Sequence, residues 1–296
     1  MSAWFACAQF PLDLDLTIVD QVLTEQNIMH RFTEEQGHQL LWLLHPNDRP
    51  AVVSLLDQWR QNGLSSQNAD FARQGVGLSL DALWLAFIAA PATCIVVLLG
   101  IIGYFFTSYG LNQNFHLLSA ANFFPIQVTA EGFRFESAQA ALVSGQFWRL
   151  ITPTFLHFGV LHIVFNALWV WVFGRKIERV LGTSAFIILF VWIATVPNIT
   201  QALWYGPNVF GGLSGVVYGL LGFIAVWQWR LPDSILQIPK SVIVFMVISL
   251  ALGFAGVVDL LANVSVANGA HLGGLLSGIV AGLFVTQKVL ANTKNR

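Results

Sequence analysis

Four polar residues lie in strongly apolar sequence and could together carry out nucleophilic catalysis. Ser214 follows a glycine-rich turn and opens an apolar run to about Trp229, and His271 is the only histidine in a later apolar run. A serine beside a histidine base is an activated nucleophile that divides acyl transfer into acylation and hydrolysis. His162 and Asn166 are four residues apart, so both would project from one helix face. The sequence therefore predicts a Ser214–His271 dyad with His162 and Asn166 nearby.

The neighbours of the serine offer donors for a developing negative charge. Gly212, Leu213 and Gly215 surround it in the stretch FGGLSG. N–H groups at a helix N-terminus point at an anion, and the helix dipole favours the charge. His162 and Asn166 would add side-chain donors, each contributing about 3–4 kcal/mol when well placed. These five residues are the predicted oxyanion site.

A carboxylate would ordinarily orient the histidine base. Asp259, near the outer end of the fifth apolar segment, is the available candidate, and the sequence gives little support for that role. Tyr218 shares a helix face with Ser214 by its four-residue spacing. We therefore expect a dyad, with the Tyr218 ring packed against the imidazole.

Each of these residues also has a purely structural interpretation. A serine that opens a helix is commonly its N-cap, and a histidine or asparagine in a membrane can simply bridge helices. The combination favours catalysis because glycines flank both members of the dyad. They are Gly215, Gly219 and Gly222 after the serine, and Gly273, Gly274, Gly278 and Gly282 after the histidine. Small residues at this spacing let two helices approach closely.

A metal site is the less favoured interpretation of His157 and His162. His157 and His162 are five residues apart, which would place them about 140° apart on a helix with 3.6 residues per turn. Neither has a neighbouring carboxylate or cysteine. The two cysteines, Cys7 and Cys94, likewise lack metal-ligand neighbours. We expect no metal and no cofactor.

The composition is that of a membrane protein. Hydrophobic residues are 56% of the 296 residues and charged residues only 10%, against about 25% charged in a soluble domain. The net charge of −1 argues against nucleic acid as a partner. Six apolar segments predict six transmembrane helices: about Leu83–Phe106, Leu150–Phe173, Thr183–Trp204, Ser214–Trp229, Ser241–Leu260 and Gly269–Leu290.

The fourth segment is too short to cross the hydrocarbon core alone. Its run of about 16 residues spans roughly 24 Å, whereas the core is roughly 30 Å thick. Ser214 would then lie below one membrane face, where non-helical backbone must be buried in protein or line water. Basic residues flank the apolar segments mainly on the membrane side opposite to Ser214. By the positive-inside rule this side is cytoplasmic, which predicts that both termini are cytoplasmic. These residues are Arg175, Lys176, Arg179, Arg230, Lys240, Lys288, Lys294 and Arg296.

The N-terminal part has a different pattern, typical of a small β-α-β-β-α unit. The predicted strands are Ala3–Phe10, Met29–Glu34 and His38–Leu44, and the predicted helices are Leu14–Glu25 and Ala51–Asn62. The resulting organisation is a cytoplasmic α+β domain at 1–62, a linker at 63–81, a transmembrane domain at 82–290 and a cytoplasmic tail at 291–296.

The chemistry-bearing residues fall in four stretches with a fixed order. They are Trp148-Arg149, HFGVLHIVFN at 157–166, FGGLSGVVYG at 210–219 and ANGAHLGG at 267–274. In this order, over six apolar segments, they resemble the rhomboid intramembrane serine proteases and, within that family, the bacterial GlpG-like members. The N-terminal unit also resembles the cytoplasmic domain of those members, so the resemblance covers nearly the whole chain.

The resemblance implies a six-helix rhomboid bundle with a defined set of site residues. Ser214 would be the nucleophile, His271 the general base, and His162 with Asn166 the oxyanion donors, while Tyr218 would stack on His271. It also implies a long first loop within 107–148 that lies partly in the outer leaflet and is tied together by Arg149. A short loop at 261–268 would cap the site and move to admit substrate.

The function implied is intramembrane proteolysis. The partners would be transmembrane protein substrates and the lipid bilayer, and the location a bacterial inner membrane. Two alternatives stay open: a small-solute transporter that uses the polar helix faces as a pore, and a non-catalytic binder of membrane helices. The polar residues cluster in the outer half of the segments and no inverted repeat is evident, which disfavours the transporter.

Overall fold

A computed structural model describes residues 4–26, 28–35, 37–62, 80–112, 114–130, 132–232, 234, 236–262 and 265–294. Residues 1–83 and 84–296 form two compact units. The helices are α1 (Thr17–Glu25), α2 (Arg49–Asn62), α3 (Leu80–Ala89), α4 (Pro91–Asn112), α5 (Phe115–Ala121), α6 (Ala138–Val143), α7 (Val160–Leu181), α8 (Thr183–Tyr205), α9 (Ser214–Arg230), α10 (Lys240–Phe254), α11 (Val257–Ala262) and α12 (Asn268–Lys294). The strands are β1 (Phe5–Pro11), β2 (His30–Glu35), β3 (His38–Leu43), β4 (Ile126–Thr129) and β5 (Gly132–Phe135), and short 3-10 helices cover Pro46–Asp48, Phe147–Leu150 and Thr152–Phe155.

The N-terminal unit has the predicted element order, β-α-β-β-α. Its antiparallel sheet has the order β1-β3-β2, and the predicted hairpin pairs His30 with Leu43 and Glu35 with His38. Apolar residues of both helices pack on one face of the sheet in a single core, which includes Phe10, Leu23, Leu41, Val52 and Leu56. Most of the predicted linker, residues 63–79, lies outside the described residues, while Leu80 and Asp81 already belong to α3.

The second unit is a helical bundle organised around α9. Twelve of the 17 residues of α9 are buried, and the helix packs against α7, α8 and α12. Among the described residues, four helices are long and apolar enough to cross a membrane: α4, α7, α8 and α12. Helix α10 is apolar but has only 15 residues. By length and composition the structure thus supports four spans, and the prediction of six is not confirmed by this criterion.

The first apolar segment is two helices rather than the predicted single one. Helix α3 ends at Ala89 and α4 begins at Pro91, because proline lacks an N–H and favours the first position of a helix. The next two N–H groups, of Ala92 and Thr93, donate to the carboxylate of Glu178 at 2.9 and 2.8 Å. A residue far along the chain therefore caps the start of this helix.

Two other predicted boundaries are also wrong. The second predicted helix, Leu150–Phe173, begins only at Val160, because 3-10 turns around Pro153 and extended backbone precede it. The fifth, Ser241–Leu260, divides at Gly256, whose φ of +72° is left-handed and ends a helix readily. By contrast, α8 runs from Thr183 to Tyr205 with Pro197 inside it, close to the predicted bounds.

The long connection between α4 and α7 is an ordered loop. It contains α5, the β4–β5 hairpin and α6. Arg149 donates from Nη1 to the carbonyl oxygens of Ser119 and Asn122, each at 2.6 Å, and Trp148 Nε1 donates to that of Ala120. Arg149 therefore ties the loop together, as the resemblance implied.

Candidate active site

The structure brings Ser214 and His271 into direct hydrogen-bonding contact. Ser214 is the first residue of α9, and His271 lies in the first turn of α12. The distance from Ser214 Oγ to His271 Nε2 is 2.8 Å. A hydroxyl that donates to an imidazole at this distance is the geometry required for general-base activation of a serine.

Glycine contacts between α9 and α12 make this short distance possible. A Cβ on Gly274 would overlap the carbonyl oxygen of Gly215, and one on Gly278 would overlap that of Gly219. One on Gly222 would lie 2.5 Å from the carbonyl oxygen of Leu275. The two helices are therefore in backbone contact next to the dyad, as the glycine spacing predicts.

The Tyr218 ring lies against the imidazole, as the sequence predicts. The ring centroids of Tyr218 and His271 are 4.8 Å apart with an interplanar angle of 41°. The Tyr218 hydroxyl donates to the carbonyl oxygen of Met246 in α10 at 3.3 Å. Asp259, the weakly supported orienting carboxylate, instead accepts the N–H of Val266 at 3.0 Å.

His162 and Asn166 converge on the glycine turn that precedes the serine. Gly212 has a φ of +123°, and a Cβ there would meet His162 Nε2 at 2.7 Å and Asn166 Nδ2 at 3.6 Å. Both the backbone angle and the lack of space require glycine. Asn166 Nδ2 is buried and has no hydrogen-bond partner among the described residues. Two potential donors thus lie beside the serine, one of them unsatisfied.

The backbone N–H groups of the turn are not equivalent. The N–H of Gly212 donates to the carbonyl oxygen of Pro153 at 3.0 Å, and that of Leu213 to His157 Nε2 at 3.3 Å. The N–H groups of Gly212 and Leu213 are therefore both engaged within the protein rather than available as the expected oxyanion donors. The N–H groups of Ser214 and Gly215 have no intrahelical partner, because they open the helix.

The position of His157 corrects an expectation drawn from its spacing. His157 precedes α7 rather than belonging to it, so the predicted separation of 140° from His162 does not apply. The two rings lie side by side, with centroids 5.0 Å apart. The sequence brought His157 into consideration as a possible metal ligand and gave no sign of its bond to the serine turn.

Two polar residues that the sequence reasoning missed hold the start of α12. Gln201 Oε1 accepts the N–H of Ala270 at 3.1 Å, and Asn268 Nδ2 donates to the carbonyl oxygen of Gly253 at 3.0 Å. Both fix the turn that carries His271. Gln201 is three residues after Asn198 in the apolar helix α8, and this polar pair on one face was the available signal.

Two family models match the chain. The Rhomboid domain matches residues 144–288 and the Rhomboid N-terminal domain matches residues 1–69. Together they cover about seven-tenths of the chain. The first match contains Ser214, His271, His162 and Asn166, and the second contains the β-α-β-β-α unit.

Curated relatives agree with these matches. Proteins named Rhomboid protease GlpG from Yersinia pestis strain Pestoides F and from Yersinia pseudotuberculosis serotype O:3 are each 38% identical over 142 residues, which is 48% of this chain and 49% of theirs. The protein of that name from Pectobacterium atrosepticum is 37% identical over 141 residues, again 48% of this chain and 49% of its own. The chain thus spans about half the length of the curated relatives it matches. With both rhomboid models matched in order along the sequence, the chain belongs to the rhomboid family.

Proposed function

We propose that the protein is an intramembrane serine endopeptidase that uses Ser214 as nucleophile and His271 as general base. The observation that carries the proposal is the 2.8 Å contact between Ser214 Oγ and His271 Nε2. Support comes from the relatives named Rhomboid protease GlpG. Support also comes from the apolar helices α4, α7, α8 and α12, which are long enough to cross a membrane.

In the first half-reaction Ser214 Oγ attacks the carbonyl carbon of the scissile peptide bond while its proton passes to His271 Nε2. The resulting oxyanion is stabilised by Asn166 Nδ2, by the His162 side chain and by the Ser214 backbone N–H. His271 then gives its proton to the leaving amine, and an acyl-enzyme on Ser214 remains. In the second half-reaction His271 takes a proton from water, which attacks the ester carbonyl carbon. When the intermediate collapses, His271 returns that proton to Ser214 Oγ, and the carboxylic acid product leaves.

The base works without an orienting carboxylate in this proposal. Tyr218 packs on the His271 ring and limits its rotation, while Gln201 and Asn268 hold the backbone turn beneath it. Rigid support of this kind performs part of what an orienting carboxylate does in a triad. The proposed machinery is thus a dyad whose base is positioned by packing.

The proposed substrates are transmembrane proteins, cut where a helix unwinds and its carbonyl groups become accessible. The proposed setting is a bacterial inner membrane. Helices α9 and α10, with 17 and 15 residues, would complete six spans beside the four longer ones. Basic residues at the opposite end from Ser214 would place both termini in the cytoplasm. Ser214 would then face the outer side, with water reaching it through the bundle.

The test is cleavage of a fluorescent transmembrane peptide by detergent-solubilised protein, with a fluorophosphonate probe as a second readout. We expect Ser214→Ala and His271→Ala to lower kcat by about 10⁴–10⁶-fold and to abolish labelling. Ser249→Ala and His116→Ala remove a half-buried serine and an exposed histidine elsewhere in the chain and should behave as wild type. Cleavage that persists in Ser214→Ala would overturn the mechanism. An unlabelled, inactive wild type would favour a transporter or a membrane-helix binder.

A further inference from the structure

His157 is a buried histidine that the dyad and the oxyanion donors leave unexplained. Its side chain is only 1% exposed, and both ring nitrogens are engaged. His157 Nδ1 lies 2.9 Å from the carbonyl oxygen of Phe155, and Nε2 lies 3.3 Å from the backbone nitrogen of Leu213. A carbonyl only accepts and an N–H only donates, so Nδ1 carries the hydrogen and Nε2 is the acceptor. These contacts define one neutral tautomer.

The segment that carries His157 is anchored firmly on helix α4. The His157 N–H donates to Thr107 Oγ1 at 3.2 Å, and that hydroxyl donates to the carbonyl oxygen of Gly103 at 2.7 Å. A Cβ on Gly103 would overlap the carbonyl oxygen of Phe155, so the helix and the segment are in backbone contact. The backbone segment that carries the His157 imidazole therefore has little freedom to move.

The His157 imidazole holds Leu213, the residue immediately before Ser214. Leu213 is fully buried, and its carbonyl oxygen accepts the first hydrogen bond of α9 from Val217 at 2.8 Å. His157 thus secures the N–H of Leu213 while α9 secures its carbonyl. Together these two bonds fix the orientation of the Leu213 backbone, and with it the position of Ser214, the next residue. The His157 ring also lies beside that of His162, with centroids 5.0 Å apart.

We propose that His157 is a positioning residue, which holds the Leu213 backbone so that Ser214 and the oxyanion donors are aligned before substrate arrives. The inference rests on the proposed protease function and adds a role for a residue that touches neither substrate nor the reacting atoms. Misplacement of a reacting group by about 1 Å can cost about 100-fold in rate. A side chain that fixes the turn next to the nucleophile can therefore control kcat without binding substrate.

Two amide substitutions separate the two bonds of the ring. In His157→Asn the shorter side chain can still reach the carbonyl oxygen of Phe155, but it lacks an acceptor at the position of Nε2. In His157→Gln the longer side chain carries an amide oxygen to that position and can accept from Leu213. Both variants are polar and smaller than histidine, and each keeps one of the two bonds: His157→Asn the bond to Phe155, and His157→Gln the bond to Leu213.

The experiment measures kcat and KM for the fluorescent transmembrane peptide together with thermal unfolding of each variant. We expect His157→Asn to lower kcat by about 10–100-fold with KM within about twofold of wild type. His157→Gln should recover most of that loss. The control is Thr93→Val, which removes a hydrogen bond to Glu178 away from the serine turn. It should lower Tm while leaving kcat unchanged below the unfolding transition.

The possible outcomes distinguish failure of the His157 inference from failure of the proposed protease function. A kcat for His157→Asn equal to that of wild type would overturn the inference, as would a His157→Gln variant that is folded and as slow as His157→Asn. A KM effect with unchanged kcat would also overturn it, because it would place His157 in substrate binding. Failure of the proposed function itself would be seen separately, as a wild type that neither cleaves the peptide nor labels with fluorophosphonate.

Discussion

Gly274 in α12 packs directly on the carbonyl oxygen of Gly215 in α9, with no room for a Cβ between them. Gly215 follows Ser214, and Gly274 lies three residues after His271. The distance between the nucleophile and its base is therefore set by a contact between two backbones. Any side chain at this position must separate the helices before it can be accommodated.

We predict that Gly274→Ala lowers both activity and stability. Overpacking by one methyl group costs about 1–3 kcal/mol, whereas a displacement of His271 from Ser214 by about 1 Å would lower kcat about 100-fold. Peptide cleavage and thermal unfolding in detergent measure the two effects. The matched control is Gly159→Ala, where an added Cβ meets no atom within 4 Å. Equal activity of the two variants would show that the glycine contact does not set the dyad distance.

The aromatic contact on His271 can be divided into its ring and its hydroxyl. Tyr218→Phe removes only the 3.3 Å hydrogen bond to Met246, and we expect kcat within about threefold of wild type, since a neutral hydrogen bond contributes about 0.5–1.5 kcal/mol to stability. Tyr218→Leu also removes the ring that restrains the imidazole. We expect it to lower kcat further, by about tenfold, as an aromatic pair contributes about 0.5–1.5 kcal/mol. Fluorophosphonate labelling rates give the comparison, and a Phe variant as slow as the Leu variant would assign the effect to the hydroxyl.

The sequence predicted those parts of the site that depend on spacing patterns within a single helix. Ser214 and His271 could be paired because glycines at regular spacing accompany both, and such spacing reports close helix contact whatever the rest of the fold does. Tyr218 followed from a four-residue spacing on one helix. For these residues a helical periodicity was enough, and the structure brings them together as predicted.

The predictions that were wrong depended on contacts between distant residues. The break in the apolar run after residue 81 has a local signal in Pro91, but the cap that starts α4 there comes from the distant Glu178, which accepts the N–H groups of Ala92 and Thr93. His157 could not be placed because the backbone before α7 is shaped by Pro153 and by packing against Gly103. Gln201 had a local signal in its spacing from Asn198, but that spacing did not identify its partner, the N–H of Ala270 in another helix.

The carboxylate of Glu178 is a further test of the bundle rather than of the chemistry. It is buried and accepts four hydrogen bonds, from the N–H groups of Ala92 and Thr93 and from the hydroxyls of Thr93 and Thr183. In Glu178→Gln an NH₂ group replaces one oxygen and faces donors. Each buried donor left unsatisfied costs about 1–3 kcal/mol, so we expect a clear fall in Tm with serine labelling retained below the transition. The exposed Glu136→Gln should change stability by less than about 0.5 kcal/mol. Equal Tm values for the two variants would contradict the prediction.

Two buried asparagines offer a matched test of the proposed oxyanion site. Asn198 Nδ2 is satisfied by the carbonyl oxygen of Leu150 at 2.9 Å and by Thr154 Oγ1 at 3.0 Å. Asn166 Nδ2 is buried without a partner among the described residues. A buried donor without a partner carries a desolvation cost, and a charge that forms during the reaction would supply the missing acceptor.

We therefore expect the two alanine variants to fail in opposite ways. Asn166→Ala should lower kcat by about 10²–10³-fold, the usual effect of removing one oxyanion donor, with little change in Tm because no hydrogen bond within the protein is lost. Asn198→Ala should lower Tm and leave kcat nearly unchanged well below the unfolding transition. Peptide cleavage and thermal unfolding, measured on both variants in the same detergent, decide the matter. If Asn166→Ala lost stability and kept its kcat, Asn166 would be a bridge between helices, and the oxyanion would have to rely on His162 and the Ser214 N–H.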